Sequence, residues 1–291
     1  MHNLVNIACG SPIVNDALKK VSSFGEQQGF NTCSDNFTVE ALPQYKRSHS
    51  SRNVIQKNTV KLTTGNTRLL ATWNSRLINK KSASICDLVI SKRIDILALT
   101  ETWISDEINY STTLTTTIAE ITNILKDHQL IHVPWPVARG VRFFLRKGLV
   151  VKQNDTIQFQ ATEYMDLSIS YKHSNHTSTS IRQMTIYRPP SSEKNKLTMT
   201  LFLQDFSTLL EHLSTVPDPL IFIGHFNVHM DDLTNSNAAK FADLIESAVL
   251  HQMVCGATHK RRQALDLFIP REDDALLVGN IDIVSDMPSA L

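Results

Sequence analysis

Short, mostly apolar segments that are typical of buried strands lie along this chain among segments of helical periodicity. The clearest strand candidates are residues 68–73, 94–99 and 219–223. The clearest helix covers residues 197–213, where leucine and phenylalanine recur at spacings of three and four along one face. Because strands and helices do not alternate strictly, the pattern favours two packed sheets flanked by helices over a doubly wound sheet.

The chain divides into a polar N-terminal part and a C-terminal part with regular apolar patterns. Residues 1–66 are rich in Ser, Asn, Gln and Thr without lasting periodicity, so we expect a poorly ordered polar extension. Residues 67–291 form the predicted folded domain. Further helices are predicted over residues 78–93, 112–126 and 238–250, and further strands over residues 141–145, 166–171, 181–187, 265–269 and 276–284.

Composition excludes several classes of protein. Of the 291 residues 42% are hydrophobic and 20% charged, which excludes a collagen-like or wholly disordered chain. The net charge of +1 gives no polybasic argument for nucleic acid, although a local basic groove is enough to bind phosphate. We expect a nuclear or cytoplasmic, non-secreted protein without membrane contact, since the chain lacks a basic leader and an apolar run of about 18 residues.

Polar clusters follow the predicted strands at residues 73–75, 100–103, 224–227 and 285–287, and Tyr187 with Arg188 ends another strand. Strand ends hold side chains rigidly at a rim that a ligand can reach. Taken singly, Glu101 would be a surface carboxylate and Asn227 a turn residue. Their order and spacing together indicate a site.

These ordered motifs resemble the endonuclease/exonuclease/phosphatase superfamily, and more closely the apurinic-type endonuclease domain of non-LTR (LINE-type) retrotransposons. The motifs are Trp73-Asn74-Ser75-Arg76, Thr100-Glu101-Thr102-Trp103, Tyr187-Arg188-Pro189-Pro190, Gly224-His225-Phe226-Asn227, Ala257-Thr258-His259-Lys260, Leu265-Asp266-Leu267 and Ser285-Asp286. The resemblance covers residues 68–291. It implies an α/β fold, a four-layered α/β/β/α sandwich of two packed mixed sheets flanked by helices.

The resemblance implies metal-dependent hydrolysis of a phosphodiester bond in DNA, which nicks one strand and leaves a 3′-hydroxyl that primes reverse transcription. Such a reaction needs a metal, an activated water and donors for the developing oxyanion. The implied cofactor is Mg²⁺ or Mn²⁺, and the implied partner is DNA. The chain would belong to a longer polyprotein with reverse transcriptase, and no obligate protein partner is indicated.

The resemblance also assigns roles to individual residues. Glu101 matches the family's Mg²⁺ ligand, and a carboxylate suits such a hard cation. Asn74 matches the asparagine that helps to organise the metal and the water. Tyr187 matches the tyrosine that hydrogen-bonds the scissile phosphate, and Asn227 matches the asparagine that supports the phosphate and the nucleophile.

Two positions at the predicted site depart from the family pattern. His225 stands where the family has the aspartate that orients or deprotonates the attacking water. Met287 follows the matching Asp286 and stands where the family has the histidine of Ser-Asp-His, although methionine cannot donate to a phosphate oxygen. Asp266 matches the carboxylate that orients that histidine, so we expect it to lose its partner. Loss of one acid–base group costs about 10²–10⁴ in rate, so the two losses predict weak or absent hydrolysis.

Two further departures concern the fold. The family has a glycine-rich run before the strand at residues 141–145, of which only Gly140 remains. The family also continues into a final strand after Ser-Asp-His, so we expect a C-terminally truncated domain without its last strand.

Three functions stay open at this stage. The first is an active Mg²⁺-dependent DNA endonuclease, and the second is a catalytically dead retrotransposon-derived fragment with at most weak nucleic-acid binding. The third is a branch of the superfamily that acts on a small phosphoester. We favour an endonuclease by ancestry that is impaired in this copy.

Histidine spacing suggests two other metal sites, for which simpler interpretations are preferred. His225 and His229 lie in a strand-to-loop turn, where we expect two solvent-facing histidines. His251, Cys255 and His259 span a helix end and a strand, which does not favour a zinc site. The basic residues 260–262 are expected to form a solvated loop, with phosphate contact as the alternative.

Overall fold

A computed structural model describes residues 55–63, 66–76, 78, 81–102, 111–132, 140–172, 178–192, 195–259 and 262–284. The chain divides into two units, Met1–Ser50 and Ser51–Leu291, and every described residue belongs to the second. The expected extension over residues 1–66 therefore lies mostly outside the described residues. The same holds for residues 285–291, and so for the expected loss of a final strand.

Eleven strands and four α-helices are formed by the described residues. The strands are β1 (Ile55–Thr63), β2 (Asn66–Asn74), β3 (Ile96–Thr100), β4 (His128–His132), β5 (Arg142–Arg146), β6 (Val150–Gln153), β7 (Glu163–Lys172), β8 (Ser178–Tyr187), β9 (Leu220–His225), β10 (Asp266–Pro270) and β11 (Val278–Val284). The helices are α1 (Ser82–Lys92), α2 (Ser111–Ile124), α3 (Met199–Leu213) and α4 (Ser236–Ser247), with a short 3₁₀ helix at Glu272–Leu277.

The strands form two mixed sheets. The six-stranded sheet has the order β11-β1-β2-β3-β5-β4, and the five-stranded sheet has the order β10-β9-β8-β7-β6. The pairs β2/β3 and β8/β9 are parallel, and the other strand pairs are antiparallel. Each parallel pair brings two carboxyl-terminal strand ends to the same edge of its sheet.

The two sheets pack face to face with helices outside them, which confirms the predicted sandwich. Ile96 and Ala98 of β3 pack in the core that both sheets share, together with Ile221 and Ile223 of β9. The neighbouring residue Leu97 faces the other way, into the core formed with α1 and α2. Alternate residues of these strands thus enter two different cores, which explains why the strands are apolar without a break.

Helix α3 covers the outer face of the five-stranded sheet together with α4. Its Phe202 and Phe206 meet Phe241 of α4 with ring centroids 5.3 Å apart in both pairs. Thr198 begins the helix, because its side-chain oxygen accepts a hydrogen bond from the backbone N–H of Leu201 at 3.1 Å. The apolar face that the sequence predicts for this helix is therefore the face that the helix buries.

The folded domain begins earlier than residue 67, where the sequence placed its start. Strand β1 pairs with β2 on one side and with β11 on the other, so it lies inside the six-stranded sheet. Its sequence is largely polar, and the strand is therefore not evident from apolar patterning. Its backbone groups are hydrogen-bonded to a neighbouring strand on each side, and residue propensities alone do not predict such pairing.

No helix in the described part of the chain is long and apolar enough to cross a bilayer.

Gly224 allows β8 and β9 to approach closely just before the predicted site. Its φ is +127°, a conformation that side-chain-bearing residues rarely adopt. A Cβ placed there would lie 2.1 Å from the backbone oxygen of Ile186, which cannot move without disturbing the sheet. The position of this glycine in a sequence motif does not by itself indicate the close contact.

The close approach at Gly224 predicts a large loss of stability in Gly224→Ala. We expect the free energy of unfolding to fall by about 2–4 kcal/mol, since strain and overlap act together. Gly148→Ala is the matched control, because Gly148 also has a positive φ of +96° but open space around its Cβ position. Urea unfolding should show a smaller loss for the control, about 1 kcal/mol. Equal losses would contradict the role given to the backbone contact.

Candidate functional site

The six-stranded sheet contributes an amide and a carboxylate to one rim of the sandwich. Asn74 is the last residue of β2 and pairs with Thr100, the last residue of β3. Glu101 follows directly and is largely buried. The parallel pairing thus places the two side chains predicted to hold a metal at the same edge.

The five-stranded sheet contributes an aromatic residue, an imidazole and a second carboxylate. Tyr187 pairs with His225 where β8 and β9 end, and Asp266 pairs with His225 where β10 begins. The Tyr187 and His225 rings are stacked, with centroids 6.3 Å apart. Thr258 holds the start of β10, because its Oγ1 accepts hydrogen bonds from the backbone N–H groups of Leu265 and Asp266, each at 2.9 Å.

His225 joins the two halves of the rim. Its Nδ1 lies 2.9 Å from Asp266 Oδ1, and its Nε2 lies 3.0 Å from Asn227 Oδ1. The same Nε2 lies 4.0 Å from Glu101 Oε1, which belongs to the other sheet. The side chain is only 2% exposed. One buried ring therefore faces oxygen atoms of three other side chains.

Both ring nitrogens of His225 act as hydrogen-bond donors. Asn227 donates its Nδ2 to the backbone oxygen of Arg188 at 2.7 Å, so its Oδ1 is the atom that faces the ring and accepts. Asp266 also accepts. Burial opposes the charged ring, but the Asp266 carboxylate and then Glu101 outweigh it and raise the pKa of His225 above its ordinary value. The surroundings therefore favour the protonated ring, and both of its nitrogens are engaged in hydrogen bonds.

One sequence-based expectation about these residues is wrong. His225 is buried rather than solvent-facing, whereas His229 is partly exposed. The expected loss of the histidine partner of Asp266 concerns position 287 and stays a prediction, but Asp266 bonds to another histidine, His225 of the neighbouring strand. The pairing depends on the register of β9 and β10, which the motif spacing does not reveal. Asp286, Met287 and Trp103 lie outside the described residues.

Three residues of the rim have left-handed backbone conformations. The φ angles are 40° at Arg76, 51° at Glu101 and 51° at Asn227. Such conformations cost on the order of 1 kcal/mol or more for residues with a Cβ, and asparagine tolerates them best. Ser75 helps to hold the first of these turns, since its backbone N–H and its Oγ both bond to the Thr100 oxygen, at 2.9 and 3.0 Å. Strain of this kind concentrates at functional sites.

Basic side chains lie beside Glu101. Arg76 Nε is 3.7 Å from Glu101 Oε2, and Arg76 Nη2 is 3.3 Å from His259 Nε2. Lys81 Nζ lies 5.4 Å from the centroid of the Trp73 ring. Burial and then the charge of Arg76 lower the pKa of Lys81 to about 8, although Glu101 acts in the opposite direction. Lys81 precedes α1 outside any motif, so the sequence pattern does not identify it as a residue of this site.

Arg188 holds the loop that carries Asn227. Its Nη1 donates to the backbone oxygens of Asn227 at 2.9 Å and Phe226 at 3.4 Å, and its Nη2 donates to Ser191 Oγ at 2.9 Å. The guanidinium also lies over the ring of Phe202, 5.2 Å from its centroid. Burial lowers the pKa of Arg188. The sequence motif contains this arginine, but nothing in the pattern shows what it contacts.

The side-chain amide of Asn74 is buried without any hydrogen-bond partner among the described residues, at both its nitrogen and its oxygen. A buried, unpaired polar group of this kind is uncommon and calls for a ligand or water to complete it. Asn74 is therefore the side chain at the rim that is best prepared to bind an added polar group.

Among the described residues, the oxygens of Glu101 and Asn74 are available to a divalent cation, whereas Asp266 and Asn227 direct their Oδ1 atoms to the His225 ring. A carboxylate and an amide fit a hard cation such as Mg²⁺, which usually keeps several waters and is held by one or two protein carboxylates. Within the described ranges, no group of three His, Cys, Asp or Glu side chains is placed to hold a metal, and this includes His251, Cys255 and His259.

Comparison with solved structures shows what this fold is. No protein-family model matches the sequence, and no curated protein matches it. The endonuclease domain of TRAS1, a telomere-specific non-LTR retrotransposon, matches with a TM-score of 0.50 and 11% identity over 70% of this chain and 84% of that one. The resemblance to the endonuclease/exonuclease/phosphatase superfamily and its retrotransposon endonuclease domain is thereby confirmed as a likeness of fold.

Two other solved structures match at lower TM-scores. An endonuclease/exonuclease/phosphatase family protein from Bacteroides thetaiotaomicron has a TM-score of 0.47 and 10% identity, covering 76% of this chain and 84% of that one. The AP endonuclease LMAP from Leishmania major has a TM-score of 0.48 and 12% identity, covering 75% and 79%.

The raised pKa of His225 predicts that stability falls as the pH rises. Folding favours the charged ring, so protonation of His225 contributes fully to the free energy of unfolding below the unfolded-state pKa of about 6.5. This contribution falls as the pH rises towards the higher folded-state pKa, by at most about 1.4 kcal/mol per pH unit, and is lost above that pKa. Urea unfolding at a series of pH values should show this decline in the native chain relative to His225→Gln, which cannot titrate. A constant difference between the two proteins would contradict the charged ring.

The contacts of Arg188 predict that Arg188→Lys disturbs the site. A lysine ammonium cannot replace the several hydrogen bonds of the guanidinium. We therefore expect the free energy of unfolding to fall by about 1–3 kcal/mol and the NMR signals of the His225 ring to shift. Arg271→Lys is the matched control, because Arg271 donates to the backbone oxygens of Val216 and Leu213 away from the rim. Unchanged ring signals in Arg188→Lys would show that Arg188 does not position this site.

Proposed function

We propose that this chain is a DNA phosphodiesterase of the endonuclease type whose hydrolytic step is impaired. Support comes from the fold likeness to a protein described as a retrotransposon endonuclease domain. It also comes from the rim, because strand pairing brings Asn74, Tyr187 and Asp266 to strand ends there and Glu101 follows the end of β3. These are residues to which the sequence resemblance gives roles in phosphate hydrolysis. DNA as the substrate rests on the sequence motifs.

The observation that carries the impairment is the double donation by His225. A water molecule becomes a nucleophile when a base accepts its proton. The resemblance gives that task to an aspartate at this position, but both nitrogens of His225 are engaged in hydrogen bonds, with Asp266 Oδ1 at 2.9 Å and Asn227 Oδ1 at 3.0 Å. The ring therefore has no site to receive a proton from water, and hydrolysis loses its base.

We expect binding of the substrate to be less impaired than its cleavage. Asn74 keeps an unpaired amide at the rim, and Arg76 has a guanidinium that is about half exposed, with 52% of its side chain accessible. Amide N–H groups and arginine are ordinary partners of the phosphate backbone. A nucleic-acid-binding domain without hydrolysis is therefore the second candidate function, and the same His225 geometry favours it.

Several expectations stay predictions from the sequence resemblance. These are the metal-dependent reaction itself, the polyprotein with reverse transcriptase, the nuclear or cytoplasmic location and the consequence of Met287. The catalytic roles of Tyr187, Asn227, Asp266 and Asp286 are proposed on the same basis.

Plasmid nicking tests the proposal. With Mg²⁺ or Mn²⁺, the native chain should nick supercoiled DNA at or near background, while His225→Asp with Met287→His should raise the rate by about 10² or more, since two acid–base groups are restored. Addition of Glu101→Gln to the double variant is the control, and it should abolish the gain if this rim is responsible.

Equal nicking by the native chain and the double variant would contradict the impairment. No nicking by a double variant that is folded would contradict the endonuclease assignment, and the non-hydrolytic binding domain would then be preferred.

A further inference from the structure

Polar side chains of the six-stranded sheet point into the sandwich directly behind the rim. Leu70 of β2 packs in the core that both sheets share. Because side chains two residues apart in a strand lie on the same face, Thr72 and Asn74 also point towards the five-stranded sheet. Thr100 of β3 pairs with Asn74 and shares this face with Ala98, which belongs to the same core.

The five-stranded sheet presents polar side chains to the same core. Ile181 and Tyr187 of β8 both pack there, and the unbroken register of β8 with its neighbours places Gln183 and Thr185 on the face between them. Strand β3 lies against β8 and β9. The part of the core that is nearest the rim therefore receives polar groups from both sheets. We call it the inter-sheet space, and it is bounded by Thr72, Asn74, Thr100, Gln183 and Thr185.

Most of these polar groups have no hydrogen-bond partner among the described residues. The atoms concerned are Thr72 Oγ1, Thr100 Oγ1, Gln183 Oε1 and both amide atoms of Asn74. Thr72 is 1% exposed, and Thr100 and Gln183 are 0% exposed, so bulk solvent does not reach them. Gln183 donates its Nε2 to Thr185 Oγ1 at 3.4 Å, which still leaves its carbonyl oxygen without a donor. Buried polar groups without partners are uncommon, and here they share one space.

Small side chains leave room at this level of the sandwich. Thr72 stands two residues before the rim in β2 and pairs with Ala98, while Thr185 stands two residues before the rim in β8. Packed sheets lie about 10 Å apart, and large apolar side chains usually fill the gap between them. Threonine and alanine fill less of it. A water molecule can bridge polar atoms that are about 5–6 Å apart, because each hydrogen bond spans about 2.8 Å.

We infer that ordered water is bound in the inter-sheet space, where it joins Thr72 and Thr100 of one sheet to Gln183 of the other. Water suits these groups, because it can donate to the Gln183 oxygen and exchange hydrogen bonds with hydroxyls at the same time. Burial of all three residues closes the space to larger ligands. Asn74 stands at the outer end of the same face, so its amide can bond to this water as well as to a ligand at the rim.

The effect of Thr72→Val on stability has opposite signs for a hydrated and a dry space. Valine has the shape of threonine without its hydroxyl. If that hydroxyl bonds to buried water, its loss should raise the equilibrium constant of unfolding about fivefold, which urea unfolding measures. In a dry space the same substitution removes a buried polar group that has no partner, and the variant should be as stable as the native chain or more stable.

Oxygen-17 magnetic relaxation dispersion of the solvent counts long-lived buried water directly, and threonine hydroxyls do not contribute because their oxygens do not exchange with solvent. The full chain with Thr72→Val and Gln183→Met together should hold at least one long-lived water fewer than the native chain. Thr72→Ser is the matched control, because it keeps a hydroxyl at the same position and should keep the native number.

An equal number of long-lived waters in the native chain and the double variant would overturn the inference. A Thr72→Val protein that is at least as stable as the native chain would overturn it as well, and this single substitution decides the question if the double variant does not fold. Neither measurement uses DNA or a metal ion, so the inference and the proposed function can fail separately.

Discussion

The hydrogen bond between His225 and Asp266 is the interaction on which the character of this site depends. It joins the end of β9 to the start of β10, at the edge of the five-stranded sheet. The same buried ring lies 4.0 Å from Glu101 of the other sheet. The arrangement of the carboxylates at the rim therefore depends on where this one side chain is held.

The backbone around the rim is specialised to present these side chains. Gly224 lets β8 and β9 approach, while Glu101 and Asn227 turn through left-handed conformations directly after their strands. Arg188 then holds the backbone of Asn227, which in turn orients its amide toward the His225 ring. The strained turns are stabilised by strands that are buried on both faces, so the rigidity of the sandwich supports a local geometry that would not persist alone.

Prediction from the sequence succeeded where one physical signal dominates. Strands β2, β3 and β9 and helix α3 were predictable because burial on both faces, or on one stripe, leaves a strong apolar pattern. Strands β1, β4 and β6 were missed, because short or polar strands owe their place to backbone pairing with neighbours that are distant in the chain. The same reason explains why the domain starts before residue 67.

The sequence by itself determined the sandwich class and the set of polar residues that follow its buried strands, including Asn74, Glu101 and His225. Those features follow from local patterning, because apolar content and strand-end position are properties of short segments. Only the tertiary structure decided that His225 is a buried double donor and that Asp266 is its partner. Hydrogen-bond partners and protonation depend on strand register and burial, and these arise when residues 41 positions apart come within 2.9 Å.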